Sequence, residues 1–420
     1  MAKSKQQTEI IVGLDIGSSV VRVAVGQYIF DERGMGDLQI MGTAEVASEG
    51  IQRGTIISIE EAVSSMSHAL EQTERLLGTP IEQVWVGVSG GHILTQQTRG
   101  VVAVAKSDGE ISEDDVARVI EAARTVASPL NYDVLHIISR SFIVDGQIGI
   151  KDPTGMTGIR LEVDAQIIYG ATSHLKNVMK AVYRTGIDIN DLVLSIIAAS
   201  DLVLTSKQKD LGVAVVDIGG SSTTIVVYEQ GNILHTAVLP LGGDHITNDL
   251  ALGLQTSIDI AEKVKILHGQ CISRGMTRKD TIFLSELGAS EETEVAKQYI
   301  VEIIEARVGE ILEKVNQEFL KIQRQRLLPA GVVFTGGGAK ILGLTDLAKQ
   351  ALGMNATLGY PLGIRSATDK VNDIAFATAI GLVKWGSLTL GKTGKKKNFF
   401  RTSPGKIAEG IQKIFKFLVP

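Results

Sequence analysis

The segments Gly212 to Tyr228, GVAVVDIGGSSTTIVVY, and Ile11 to Val25, IVGLDIGSSVVRVAV, follow one pattern. Each is an apolar run closing on an aspartate, a turn of glycine and serine, and a return run rich in β-branched residues: a hairpin with a polar tip. Glycine at the tip lets the backbone approach an anion and bare its N–H groups. Ser18, Ser19, Ser221, Ser222 and Thr223 add hydroxyls, so each tip reads as a phosphate cradle. A carboxylate beside such a cradle repels the ligand unless a cation lies between, which makes Asp15 and Asp217 the expected outer partners of a hydrated Mg2+. One copy alone would read as an ordinary hairpin turn. Two copies, in two α/β halves, predict a nucleotide clamped between two lobes.

At 420 residues the chain is long enough for two or more domains, and its 44% hydrophobic content is that of a globular protein. Its 42 Lys and Arg against 47 Asp and Glu give a net charge of −5, which argues against a whole-protein nucleic-acid binder. The single cysteine, Cys271, excludes an internal disulfide framework, fits a reducing compartment and reads as a buried structural thiol. The seven histidines show no ligand spacing such as H-E-x-x-H, so no zinc site is assigned. MAKSKQQTE passes from lysines into polar residues without an apolar signal core, and no apolar run approaches the ~20 residues of a spanning helix. A cytoplasmic protein is expected.

In chain order, the first hairpin continues as a meander through 38–46, followed by a helix opened by Ser58 with Glu61 as a capping box and ended near Gly78. From about 85 to 164, short strands at 100–105, 133–141 and 159–163 surround one helix, 114–127, and read as a small inserted α/β unit. It shows no catalytic constellation; His92 and His136 read as structural. The main pattern resumes with a strand at 165–170, a helix at 173–185, a strand at 191–194 and a helix at 196–206. After the second hairpin come a strand at 233–239, Gly242-Gly243, a helix near His245, and a helix from about Ser257 that puts Glu262 and Lys265 on one face. A short extended piece, 277–287, precedes a long amphipathic helix, 291–328. Strand 331–335 then meets Gly336-Gly337-Gly338 and a helix starting at Ala339, a glycine turn suited to phosphate or ribose and a third wall of the same pocket. The Gly/Lys-rich run 391–402 reads as a flexible basic linker. The helix after it gathers Ile407, Ile411, Ile414, Phe415 and Leu418 on one face with lysines alongside, the pattern of a membrane-surface helix.

This arrangement resembles the actin-type ATPases, and within them the FtsA family of bacterial cell division proteins, over nearly the whole chain. The hairpins are similar to that superfamily's phosphate loops, GVVFTGGGAKILGL to its adenosine loop, and Glu262 with Lys265 to its E-x-x-K helix against ribose and base. NDLALGLQTSIDIAEKVKILHG and the terminal helix are similar to FtsA too. The resemblance implies an α/β, actin-like two-lobed fold with duplicated sheet-and-helix halves. Subdomain 1A would span 8–85 and 166–210, an inserted subdomain 1C 86–165, subdomain 2A 211–243 and subdomain 2B 244–324. Residues 325–390 would complete 2A and return to 1A, leaving the linker 391–402 and the amphipathic helix 403–420.

The resemblance further implies ATP and Mg2+ as ligands, with Asp15 and Asp217 reaching the metal through water. Gly17, Ser18, Ser19, Arg22, Gly219, Gly220, Ser221, Ser222, Thr223, Gly242, Gly243, Glu262, Lys265, Gly336, Gly337, Gly338 and Ile341 would hold the nucleotide. It implies a scaffold that polymerises at the cytoplasmic face of the membrane and tethers FtsZ filaments there at the septum. The FtsZ C-terminal tail would dock on 2B, later division proteins on 1C, and anionic lipid on the terminal helix. One departure matters: where chaperone and MreB members carry a segment like E-P-x-A-A-A, this chain has Ser195 to Ser200, SIIAAS, with Ser195 in place of the glutamate. A hydroxyl without an adjacent base is a poor general base and Asp201 stands too far along, so no catalytic residue is assigned and tight binding with slow hydrolysis is expected. A sugar kinase would need a catalytic aspartate facing an acceptor pocket, and a chaperone a further peptide-binding domain. The remaining alternative is a PilM-like adaptor of a type IV pilus machine, whose pattern lacks the terminal helix.

Overall fold

A computed structural model describes residues 10–30, 36–125, 129–272, 280–290, 292–366 and 369–393. Ile10–Ile16 (β1), Val20–Phe30 (β2) and Gly36–Ala47 (β3) form the expected antiparallel meander. After the short ladder Ile51–Gln52 (β4) with Thr55–Ile56 (β5) comes Ile59–Leu77 (α1). Its first turn is capped by the Ser58 side chain, which accepts the Glu61 N–H, and its end by Gly78 in the left-handed region. Gln83–Val88 (β6) lies parallel to β1.

The insert comprises Ile93–Ala103 (β7), Glu113–Thr125 (α2), Tyr132–Val144 (β8), Gln147–Ile150 (β9) and Arg160–Ala171 (β10). These strands make an antiparallel sheet in the order β7-β10-β8-β9, with its own apolar core against α2. β10 corrects two expectations at once: the pieces at 159–163 and 165–170 are one strand, and it stays in the insert's sheet beyond the expected boundary at 165. The polar residue that looked like a strand end, Asp164, is instead held cross-strand by Arg99, at 2.7 and 3.2 Å, beside a register shift between Asp164 and Ala165.

Thr172–Arg184 (α3), Asp188–Leu194 (β11) and Ser195–Val203 (α4) return to the first lobe. The single helix expected over 196–206 is two, because Leu204 is extended and Thr205 opens a new capping box for Ser206–Leu211 (α5). The second lobe begins with Val213–Ile218 (β12), Thr223–Glu229 (β13) and Asn232–Leu239 (β14), then Gly243–Leu254 (α6) and Ile258–His268 (α7). Thr281–Phe283 (β15) pairs with Glu294–Ala296 (β16), so the long helix is Lys297–Lys321 (α8) rather than 291–328: Val295, expected in its stripe, is spent on the ladder opposite Ile282. Val332–Thr335 (β17), Leu344–Leu352 (α9), Ala356–Leu358 (β18), Arg365–Ser366 (β19) and Ala377–Thr393 (α10) complete the described chain.

The first lobe's sheet has the order β11-β6-β1-β2-β3-β19 and the second lobe's β14-β13-β12-β17-β18. Apart from β19 the two are the same design, a three-stranded meander extended on its first strand by two parallel strands. This is the duplicated, actin-like α/β architecture. It puts the aspartates at equivalent points, Asp15 opposite Arg22 and Asp217 opposite Thr224. α4 and α10 lie between the sheets, in a core that draws Ala24 and Trp85 from one lobe and Val215 and Val333 from the other. Cys271 is fully buried, and burial pushes its thiol up to about 12, which leaves it inert. α10 runs through Thr393, so the first residues of the expected linker are helical; the terminal helix expected at 403–420 lies outside the described residues. No described helix is long and apolar enough to cross a membrane.

His136 is structural, as expected, and couples the insert to the first lobe: its Nε2 accepts the Leu194 N–H at 2.9 Å. Burial lowers its pKa from 6.5 to about 4, so its contribution to stability is complete above pH 6.5 and is lost as pH falls through 4. The urea midpoint of the wild type should therefore drop between pH 6.5 and 4, and His136→Gln, which keeps an acceptor, should flatten that drop. Identical pH profiles would show that His136 does not carry the effect.

Candidate functional site

A cavity of about 760 Å³ opens between the lobes and takes its walls from both. That is within the range of ~300–1,000 Å³ usual for small-molecule sites. The two hairpin tips meet across it. Ser221 Oγ donates to Ser18 Oγ at 2.8 Å, Ser18 Oγ also accepts the Gly54 N–H at 2.9 Å, and Ser19 Oγ contacts both Asp244 carboxylate oxygens at 3.0 and 3.1 Å. The third wall is the glycine turn after β17. Gly336 has φ +87°, and a Cβ there would meet the Ile218 carbonyl at 2.5 Å and Asp217 Oδ1 at 2.6 Å, so only glycine fits. The helix expected from Ala339 is a single 3-10 turn, Gly337–Lys340, and α9 starts only at Leu344, after Gly343 with φ +82°.

The fourth wall is α6 with α7. Lys265 Nζ lies 2.6 Å from Glu262 Oε2 and donates to Thr247 Oγ1 at 2.7 Å and to the Gly243 carbonyl at 3.2 Å. The pair thus pins α7 to the first turn of α6, where backbone N–H groups favour an anion.

Asp15 and Asp217 are half-buried at the floor. Burial pushes Asp15 up to about 7, with Arg22 pulling it down and Asp217 pushing it further up. Burial likewise raises Asp217, opposed by the Thr335 hydroxyl, which donates to Oδ2 at 3.1 Å, and by Arg22. Two carboxyls whose protons are held more tightly than usual are groups a divalent cation would discharge, and oxygen donors of this kind suit Mg2+ held through its waters. Arg22 supplies a fixed positive charge beside them, braced by Glu45 at 3.5 Å and by the Phe376 ring at 5.5 Å.

The cavity gathers Asp15, Asp217 and the residues assigned to nucleotide, except Thr223 and Gly242. Thr223 is turned inward, its hydroxyl on the Leu241 carbonyl at 2.8 Å, and the alternation of β13 puts Thr224 on the cavity in its place. Gly242 is a packing position: a Cβ there would meet the Gly220 carbonyl at 2.5 Å and the Ser222 nitrogen at 2.8 Å. Asp244, Gly54 and Thr378 were not foreseen; only Asp244 had a local signal, an acid in the first turn after a glycine pair. Ser195 begins α4 and lines the cavity with its Oγ unpartnered, whereas Asp201 is paired with Lys209 and is not on the cavity wall. Among the described residues no cluster of three or more His, Cys, Asp and Glu could hold a metal directly.

Residues 214–381 match the family model for cell division protein FtsA, and residues 90–169 match that for the SHS2 domain inserted in FtsA. The cell division protein FtsA of Bacillus subtilis is 39% identical over 393 residues, covering 93% of this chain and 86% of that protein. The chain belongs to the FtsA family. Its insert is thus the FtsA-type SHS2 domain, matched through residue 169 and so including most of β10.

Two solved structures show the same fold. The PilM–PilN type IV pilus biogenesis complex aligns at TM-score 0.66 and 18% identity, covering 90% of this chain and 98% of that one. MreB5 of Spiroplasma citri bound to ADP aligns at TM-score 0.55 and 12% identity, covering 93% and 99%. At such identities the likeness is one of fold alone, which leaves the pilus-adaptor alternative a structural neighbour of this FtsA-family chain.

Proposed function

We propose that this FtsA-family protein binds ATP with Mg2+ in the interlobe cleft and, so loaded, assembles on the cytoplasmic face of the membrane and tethers FtsZ filaments at the division septum. The observation that carries the reading is the meeting of two equivalent hairpin tips, each with its half-buried aspartate, across one cavity. Gly17 to Ser19 and Gly219 to Ser222 would cradle the phosphates, Glu262, Lys265, Ile341 and Gly336 to Gly338 would face ribose and base, and Asp15 and Asp217 would hold the metal's waters. Mg2+ in that place would neutralise phosphate charge. The related fold of MreB5, solved with ADP, supports a nucleotide there. Residues 244–324 would receive the FtsZ tail, the insert later division proteins, and 403–420 anionic lipid. The test is co-sedimentation with FtsZ on anionic vesicles: FtsZ should pellet with the vesicles only when this protein is present, and more with ATP than without. FtsZ left in the supernatant under both conditions would contradict the proposal.

Ser195 would stand where other members of the superfamily carry a glutamate, and it is a poor general base. Among the described residues its hydroxyl has no acid or histidine partner. ATP turnover should therefore be slow in the wild type and barely changed in Ser195→Ala, measured as phosphate release. A loss of ~100-fold, the scale of removing a general base, would overturn this account of the site.

A further inference from the structure

The insert holds both lobes through buried and half-buried polar groups, and each contact falls on a strand that leads into the cleft. On the first lobe, His136 of β8 accepts the N–H of Leu194, the residue before Ser195. The His136 ring also packs edge-on against Trp385 of α10, centroids 5.8 Å apart. On the second lobe, Thr95 Oγ1 of β7 donates to the Thr236 carbonyl at 3.3 Å, and Gln166 Nε2 of β10 lies 3.5 Å from Thr236 Oγ1. Thr236 belongs to β14, which continues through Gly242 and Gly243 to Asp244, where the hairpin tips meet. Gln166 and Thr236 are only 2% and 4% exposed. Around them Ile93, Ile138 and Ile168 of the insert share a core with Val226 and Ile233 of the second lobe.

A unit joined to the first lobe by chain is therefore also fastened to the second. Buried polar contacts respond sharply to displacement, because water does not replace a partner that moves away. A ligand that favoured one arrangement of the lobes would shift β14 against β11, and the insert is attached to both. We propose that the insert is the element that reads cleft occupancy, through Thr95 and Gln166 on Thr236, and carries it to the protein's outer face. The inference rests on the nucleotide reading of the cleft. Coupling of this kind is reciprocal, so a partner that binds the insert more tightly in one lobe arrangement changes nucleotide affinity by the same factor.

Hydrogen exchange on the full chain tests it, with Mg2+-ATP binding first established by titration. On addition of Mg2+-ATP, amides of 93–103 and 160–171 in the wild type should change their exchange by about 5-fold or more. In Thr236→Val that change should be lost while ATP still binds. Thr95→Val, which removes one side-chain donor and leaves the backbone acceptor intact, should diminish it even if Thr236→Val folds poorly. Exchange in the insert that is unaffected by bound ATP, or a change that survives in both variants, overturns the coupling and leaves the cleft assignment standing. Failure of the wild type to bind Mg2+-ATP overturns the cleft assignment, and the coupling with it.

Discussion

Asp15→Ala and Asp217→Ala should each weaken Mg2+-dependent ATP binding by roughly 10- to 150-fold, the 1.5–3 kcal/mol typical of a lost charge-assisted hydrogen bond. Without Mg2+ the same changes should matter little, since each removes a negative charge near the phosphates along with a metal partner. Isothermal titration with and without the metal separates these cases. The sign of the pH dependence follows from Asp15, which burial holds at about 7: metal must displace its proton, so affinity should rise from pH 6 to pH 8. Gly336→Val should abolish binding altogether. Its side chain would be driven onto the Ile218 carbonyl and Asp217 at a φ of +87° that β-branched residues avoid, with ~1–3 kcal/mol of backbone strain besides. Full affinity in both aspartate variants would remove the floor of the site.

Legibility followed the range of the interactions. The hairpins could be read because everything that makes them, apolar run, aspartate, small tip and β-branched return, is local and stated twice. Ser58 and Gly78 bounded α1 as expected because caps act within one turn. What depends on a distant partner was misread: β10 looked broken at Asp164 because Arg99 lies in another strand, and α8 looked longer because Val295 pairs with Ile282. Thr223 reads as a cradle hydroxyl because composition does not reveal the phase of a strand; a shift of one residue puts Thr224 on the cavity and Thr223 in the core. Gly54 and Thr378 reach the cavity only through the tertiary fold.

The other large effect lies at the C-terminus, in residues 403–420, outside the described residues. Truncation before Thr402, or Phe415→Glu, should abolish flotation with anionic vesicles while leaving ATP binding intact. If 403–420 forms the amphipathic helix proposed, burial of Ile407, Ile411, Ile414, Phe415 and Leu418 would contribute roughly 0.8 kcal/mol per CH2, and each nearby lysine roughly 1 kcal/mol against anionic lipid. Raised salt should therefore weaken wild-type flotation only in part, because the apolar contribution is not screened. If the truncated protein still floats, the helix is not the anchor, and the pilus-adaptor alternative gains ground.

The central claim is that the two hairpins, the glycine turn and the α6–α7 pair form one nucleotide site. A crystal structure of the protein loaded with Mg2+ and a non-hydrolysable ATP analogue tests it most directly. The account predicts phosphates between Ser18–Ser19 and Ser221–Ser222, a metal joined through water to Asp15 and Asp217, and the adenosine between Glu262–Lys265 and Gly336–Gly338. An analogue bound outside the cleft, or bound there with its phosphates away from both hairpin tips, would contradict it.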